Sequence, residues 1–321
     1  MKFIGIDIAK DTFVAAYPLQ NGYQTKSYPN DAKGVKKFIS SLLNADYHCV
    51  LEATGNYGTL VLYMLSEQDI AVSLVNPKQI KYFARMMMAV TKTDFVDAKL
   101  IALYGEKMQP PIYEMPTETI ILLKQKKVIL RQLKKQLTSL SNLRESFKVL
   151  PKVDKGSLQV LDKTARFIEK QISEIESELS GIAKEVFGEQ IKSLTSIKGI
   201  GITLATSLII STGGFSQFQN SKQLSRYIGI CPTYQQSGTS INIKGSISRN
   251  GNSQLRSLLY IASWSAIRYN AACKETYERL KAKGKPSKVA LIAVANKLVR
   301  QAFAICTAET TYVDGYVSKA C

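Results

Sequence analysis

Between residues 130 and 186 the chain carries two runs of apolar residues at heptad spacing. Leu130, Leu133, Leu137, Leu140, Leu143, Phe147 and Leu150 step by threes and fours, and so do Ile168, Ile172, Ile175, Leu179, Ile182 and Val186. That spacing draws one narrow apolar stripe along a helix, which must be covered by another helix. Pro151 and Gly156 separate the runs. The pattern therefore predicts a helical hairpin or an oligomerising coiled coil, and it divides the 321 residues into 1–112, a helical linker 113–190, and 191–321. From Lys124 to Lys155 there are 10 basic and 2 acidic residues. Those lysines read either as a solvated helix face or as contacts to phosphates.

Charge separates the same three parts. The chain holds 43 Lys and Arg against 25 Asp and Glu, a formal net charge of +18. Residues 1–110 contribute +2, residues 111–190 contribute +3, and residues 191–321 contribute +13. With 45% hydrophobic residues the chain can bury a sizeable core, so this is no disordered basic tail. A folded protein this basic points to a polyanion, nucleic acid before a membrane surface. His48 is the one histidine, which leaves histidine metal sites and Ser-His-Asp arrangements little to draw on. The five cysteines are scattered and odd in number, indicating neither a zinc site nor a disulfide framework. No apolar run reads as a membrane span or signal peptide, so the expected location is the reducing cytoplasm.

The first 110 residues read as alternating strands and helices. Short β-rich runs at Phe3–Ile8, Thr12–Tyr17 and Tyr23–Tyr28 predict three consecutive strands, the last two joined by the hairpin signal Gln20-Asn21-Gly22. A helix through Val35 and Phe38, a strand His48–Glu52, a helix around Leu60–Leu65, a strand Ile70–Val75, and helices from Lys78 and from Asp97 follow. The order βββαβαβα suits a mixed sheet covered by helices. Two acids sit awkwardly in it. Asp7 interrupts the apolar run Ile4-Gly-Ile-Asp-Ile, and Glu52 ends another in Val50-Leu-Glu-Ala. Buried carboxylates must be paired, hydrogen-bonded or on a metal. Asp94 and Asp97 are three apart and share a helix face. Four acids without histidine would suit Mg²⁺ or Mn²⁺, ions that polarise phosphoryl oxygens. Each acid also has a structural reading, as a cap, a turn residue or an ion-pair partner.

In the last part, Ile197-Lys-Gly-Ile-Gly201 joins two helical patterns and resembles a helix-hairpin-helix. Gly199 and Gly201 are expected to permit positive φ and leave N–H groups bare for a phosphate; a tight helix connection is the alternative. The stretch Ser237–Ser253 is rich in Ser, Gly and Asn and reads as a long irregular, functional segment. Helical patterns resume at Leu255–Ile267 and Val289–Phe303.

Six motifs in order now carry a resemblance to a known family: Gly5-Ile-Asp-Ile-Ala-Lys10, Glu52-Ala-Thr-Gly55, Val75-Asn-Pro77, Lys92-Thr-Asp-Phe-Val-Asp-Ala98, Ile197-Lys-Gly-Ile-Gly201, and Tyr234-Gln-Gln-Ser-Gly-Thr-Ser240 followed by Ser248-Arg-Asn-Gly251. Nearly end to end, the chain resembles the DEDD-type insertion-sequence transposases, the family of bridge-RNA-guided serine recombinases, to which the pilin-gene DNA invertases are related. The resemblance implies an α/β plus α architecture: a RuvC-like, ribonuclease H-like domain, a coiled-coil linker, and a mostly helical C-terminal transposase domain. It implies that Asp7, Glu52, Asp94 and Asp97 bind Mg²⁺ and that Ser237 is the nucleophile, with Ser240 as runner-up. Lys198, Gly199, Gly201, Arg249 and Arg256 are candidate nucleic-acid contacts. Implied partners are target and donor DNA, a bridge RNA, and further copies of the chain in a dimer of dimers whose acids and serine meet across subunits, with no membrane.

The expected chemistry is attack of Ser237 on a scissile phosphate, giving a phosphoserine link to DNA that a free 3′-hydroxyl later reverses. A RuvC-like nuclease would use the same acids without the serine. A DNA invertase shares the motifs. An actin-like ATPase fold also opens with a strand Asp, but no second glycine-rich phosphate loop follows here. A non-catalytic nucleic-acid-binding protein would keep the acids for structure alone.

Overall fold

The computed structural model describes residues 2–42, 46–53, 55–233, 235–237, 241–243, 246–248 and 250–314. The chain forms two compact units, 1–115 and 116–321.

The first unit is built on a five-stranded sheet. Strands β1 (Lys2–Ile8), β2 (Thr12–Leu19) and β3 (Gly22–Pro29) form an antiparallel meander, and β4 (Tyr47–Glu52) and β5 (Val72–Val75) add parallel to the far side of β1, giving the order β3-β2-β1-β4-β5. The strand alternation decides which face each residue meets. Ile4, Ile6, Ile8, Cys49 and Leu51 pack with α1 (Ala32–Ser40) and α2 (Thr59–Ser66) through Val35, Phe38, Val61 and Leu65. On the opposite face lie α3 (Pro77–Met86) and α4 (Asp94–Met108). Their Ile80, Phe83, Ile101 and Tyr104 cover Val50 and Val75, while Ala98 and Ala102 cover Val14 and Ala16.

Helix α4 begins at Asp94, three residues earlier than the sequence reading. Thr93 is the N-cap, and its hydroxyl accepts from the Val96 N–H at 3.2 Å. Capping places both Asp94 and Asp97 in the first helical turn, where the partial positive charge of the helix terminus favours anions.

The second unit is mostly helical. Helices α5 (Glu118–Phe147) and α6 (Lys155–Ser196) form an antiparallel hairpin, tied at its surface by Lys126 to Glu178, Lys134 to Glu176 and Arg144 to Asp162. The first heptad run outlasts its helix: α5 stops at Phe147, before Leu150, and Leu143, Leu150 and Val186 remain about half exposed. Helix α6 runs past residue 190, with non-helical backbone at Phe187.

Beyond it, α7 (Ile202–Thr212), α8 (Ser221–Ile228), α9 (Ser253–Tyr269), α10 (Ala271–Ala282) and α11 (Ser287–Thr307) pack around one core that includes Leu194, Leu208, Leu259, Leu298 and Val299. By length and composition alone α11 would pass as a membrane span, as the buried core helix of a soluble protein also does. Lys297 and Arg300 mask that character in the sequence, and half of the stretch is buried as the central helix, against α6, α8, α9 and α10. The Ser-, Gly- and Asn-rich stretch is not irregular throughout. Its Ile241–Ile243 is a strand, β7, antiparallel to β6 (Gln235–Ser237), and a bridge between Pro232 and Ile247 extends the pairing.

Candidate active site

Strand register brings the first two acids side by side. Ile6 pairs with Leu51 across the parallel β1–β4 ladder, so Asp7 and Glu52, each one residue further on, stand at the same sheet edge. Asp7 shares its strand face with Gly5, and that face carries α4. A Cβ on Gly5 would lie 2.1 Å from both the Ala98 carbonyl oxygen and the Ala102 nitrogen, so only glycine lets helix and strand approach so closely. Further along, Gly105 faces Phe3 and Val50. Helix α4 therefore runs antiparallel to β1, and its first turn, with Asp94 and Asp97, arrives beside Asp7.

The electrostatics link Asp7 to each of the other three acids. Asp7 is half-buried, and its carboxyl is pushed up to about 6, first by loss of water and then by the negative charges of Asp97, Asp94 and Glu52. Glu52 is raised by burial and by Asp97, with Lys92 opposing. Asp97 is raised by burial and Asp94, again against Lys92. A half-buried carboxyl among like charges is held there at a cost in stability. The donor set fits a hard divalent cation: it is oxygen-only and has more negative charge than Lys92 can offset. Among the described residues, no three His, Cys, Asp or Glu side chains are yet grouped tightly enough to ligate one ion.

One residue at this edge escapes a sequence reading. Asn30, at the end of β3, lies within hydrogen-bond reach of three carbonyls: its Nδ2 donates to Ala9 (3.0 Å), Lys10 (3.4 Å) and Tyr57 (3.0 Å). It thereby ties the exit of β1, just past Asp7, to the segment after β4, just past Glu52. Its Oδ1 is buried without a hydrogen-bond partner among the described residues. His48 is occupied elsewhere. It is buried, stacks on Phe3, and its Nε2 bonds the Ser73 hydroxyl at 2.7 Å while that hydroxyl donates to the Pro110 and Pro111 carbonyls. Burial lowers its pKa. This histidine holds β4, β5 and the 110–111 segment together.

The remaining candidates belong to the second unit. Ser237 closes β6, its backbone paired with Ile241 at the tip of the ribbon. Ser240 and Arg249 lie outside the described residues. Lys198 is exposed, and its carbonyl accepts from Asn270 at 3.4 Å. The two glycines of the turn differ from expectation. Gly199 has φ +106° and a Cβ there would lie 2.7 Å from the Ala266 Cβ, whereas Gly201 has φ −85°, ordinary backbone, as the N-cap of α7. Its role is termination without a side chain, not positive φ. Arg256 is half-buried and donates from Nη1 to the Ile228 carbonyl at 2.9 Å, bracing the junction of α8 and α9.

Comparison with known proteins adds an independent finding. A family profile described as "Transposase", the DEDD type of insertion sequence IS110, matches residues 4–147. A second, described as "Transposase IS116/IS110/IS902 family", matches residues 191–278. The chain is 31% identical over 316 residues to the pilin gene-inverting protein of Moraxella bovis, covering 94% of this chain and 95% of that one. The protein of the same name from Moraxella lacunata matches equally, at 31% over 316 residues. The transposase for insertion sequence element IS1111A of Coxiella burnetii is 23% identical over 348 residues, covering 98% of this chain and 92% of the relative.

Proposed function

From the premise that the chain belongs to the IS116/IS110/IS902 family of transposases, we propose that it cuts and rejoins DNA, using Asp7, Glu52, Asp94 and Asp97 of the first unit and Ser237 of the second. The observation that carries the reading is the convergence of four acids on one edge of the five-stranded sheet, where each raised carboxyl feels at least one of the others.

Asp7, Glu52, Asp94 and Asp97 would hold Mg²⁺ or Mn²⁺, which supplies positive charge against the scissile phosphate. Lys92 opposes the raised carboxyls of Glu52 and Asp97 and so adjusts their charge state. Asn30 holds the two strand exits in register. The hydroxyl oxygen of Ser237 attacks phosphorus as the bond to the 3′-oxygen breaks; the serine proton ends on the departing 3′-hydroxyl, leaving a phosphoserine link to the 5′ side. Reversal by another 3′-hydroxyl rejoins the strands. His48, buried and bonded to Ser73, takes no part.

In the same reading a bridge RNA pairs with target and donor DNA, and the chain works as a dimer of dimers. The charge of +13 over residues 191–321 supports polyanion binding by the second unit. A second reading, site-specific inversion of a DNA segment, is favoured by the similarity to the pilin gene-inverting proteins over nearly their full length.

The test is trapping of a covalent protein–DNA adduct. Ser237→Ala should abolish the adduct and leave DNA binding intact; an undiminished adduct refutes the serine assignment. Asp7→Ala and Asp97→Ala should stop cleavage in folded protein, and metal-dependent cleavage by either would remove the acids from the site. Sequencing of RNA co-purified with the protein, expressed with its flanking DNA, tests the guide: a discrete species supports it, and none favours a protein-read target.

A further inference from the structure

One stretch of the first unit carries positive charge unopposed by any acid within it. Between Asp69 and Asp94 the chain has no acid but holds Lys78, Lys81, Arg85 and Lys92. These lie on α3 and the loop leading to α4. Ile80 and Phe83 fix the inner face of α3, with Phe83 edge-on to Tyr104 at 5.3 Å between ring centroids. Helical spacing then turns Lys81, Tyr82 and Arg85 outward, and all are exposed.

The same surface is apolar to an unusual degree. Tyr82 is 62% exposed, Met88 85% and Val90 97%, with Met86 and Met87 completing an uncovered run. Exposed contiguous apolar surface marks an interaction site. The loop ends at Thr93, the cap of α4, so the surface continues directly into the turn that bears Asp94 and Asp97, with Phe95 half exposed between them.

Cations alternating with exposed aromatic and thioether groups suit one kind of partner, a nucleic-acid strand whose bases are unpaired. Phosphates would meet the cations and bases would lie on the apolar groups. A second copy of the chain fits less well, because each copy carries +18 and residues 70–93 hold no acid to receive the other's cations.

We propose that α3 and the loop to α4 form a wall that binds an unpaired strand beside the four acids, with Lys81 and Arg85 on phosphates and Tyr82, Met88 and Phe95 against bases. The proposal rests on the reading of the acids only for where the strand is led. Binding itself is measured without cleavage, in chelator, so the two can fail separately.

The experiment uses the full chain with a fluorescent single-stranded DNA oligonucleotide and the duplex of the same sequence. After ultraviolet cross-linking, peptides from residues 77–99 should carry the single strand and not the duplex. Tyr82→Ala with Met88→Ser should weaken single-strand binding about tenfold and leave duplex binding unchanged, as loss of one stacking contact would. Lys81→Gln with Arg85→Gln should make the salt dependence of single-strand binding shallower, by roughly 0.7 per cation in log–log slope. Cross-links confined to other peptides, or variants that bind like the parent protein, overturn the proposal. So does a change in oligomeric state with binding unaltered, which would make the surface a contact between copies.

Discussion

The backbone of α4 lies directly on Gly5: a Cβ there would sit 2.1 Å from the carbonyl oxygen of Ala98, the residue after Asp97. The close approach is what sets the helix start beside Asp7. Gly5→Ala should therefore act twice. It should lower stability by about 3 kcal/mol, at the upper end for overpacking because the obstacle is backbone, and it should reduce cleavage by moving Asp97. Gly181→Ala, in an open stretch of α6, should stabilise by up to about 1 kcal/mol. Urea denaturation of both variants checks the contrast.

Asp7 should be a source of instability when no cation is present. Its carboxyl is held at about 6 in the folded chain against an ordinary value of 3.8, so between those values the folded state binds more protons than the unfolded one, and stability falls as pH rises. Asp7→Asn should be more stable than the parent by about 1–2 kcal/mol at pH 7.5 in chelator, after discounting the shift for solvent screening of a half-exposed group. The gain should vanish below about pH 3, where the parent carboxyl is protonated in both states. Thermal melts across that range measure it; an equal gain at both ends would assign the effect to something other than charge.

Asn30→Ala should remove the link among the Ala9, Lys10 and Tyr57 carbonyls. A loss of about 1–3 kcal/mol is expected. The informative readout is the divalent-ion concentration for half-maximal cleavage, which should rise about tenfold if Asn30 sets the spacing of Asp7 and Glu52. Asn30→Asp should not rescue, because a carboxylate would face three carbonyl oxygens. Cleavage with unaltered metal dependence would leave Asn30 a merely structural residue.

The two glycines of Ile197-Lys-Gly-Ile-Gly201 should separate cleanly. Gly199→Ala combines φ +106° with a Cβ 2.7 Å from that of Ala266, and should cost more than about 2 kcal/mol. Gly201→Ala meets nothing within 4 Å at φ −85° and should cost about 1 kcal/mol or less, the ordinary loss for alanine at an N-cap. Chemical denaturation of the pair decides it.

Much of the first unit was legible in the sequence because its signals are local. Short β-rich runs and Gln20-Asn21-Gly22 placed β1 to β3 within two residues at each end, and the apolar runs around Cys49 and Leu74 placed β4 and β5, the latter begun two residues early. The start of α4 was misread at Asp97 because the apolar pattern begins late, while the hydroxyl that starts the helix belongs to Thr93. The alternation Ile241-Asn-Ile243 was a strand signal within a segment whose composition suggested irregular chain. Asn30 could not have been found this way. Its partners are 20 to 27 residues distant, and nothing in the chain around it marks the contact.

The sequence alone determined the element types of the first unit, the two long helices that follow it, the placement of charge, and the motifs that identify the family, because each depends on residues near one another in the chain. Only the tertiary structure decided that Asp7, Glu52, Asp94 and Asp97 share one sheet edge. That convergence needs the parallel pairing of β1 with β4, the absence of a side chain at Gly5 and the cap at Thr93 to hold together. The physical reason is that a carboxyl's neighbours are set by strand register and helix approach, and spacing along the chain encodes neither.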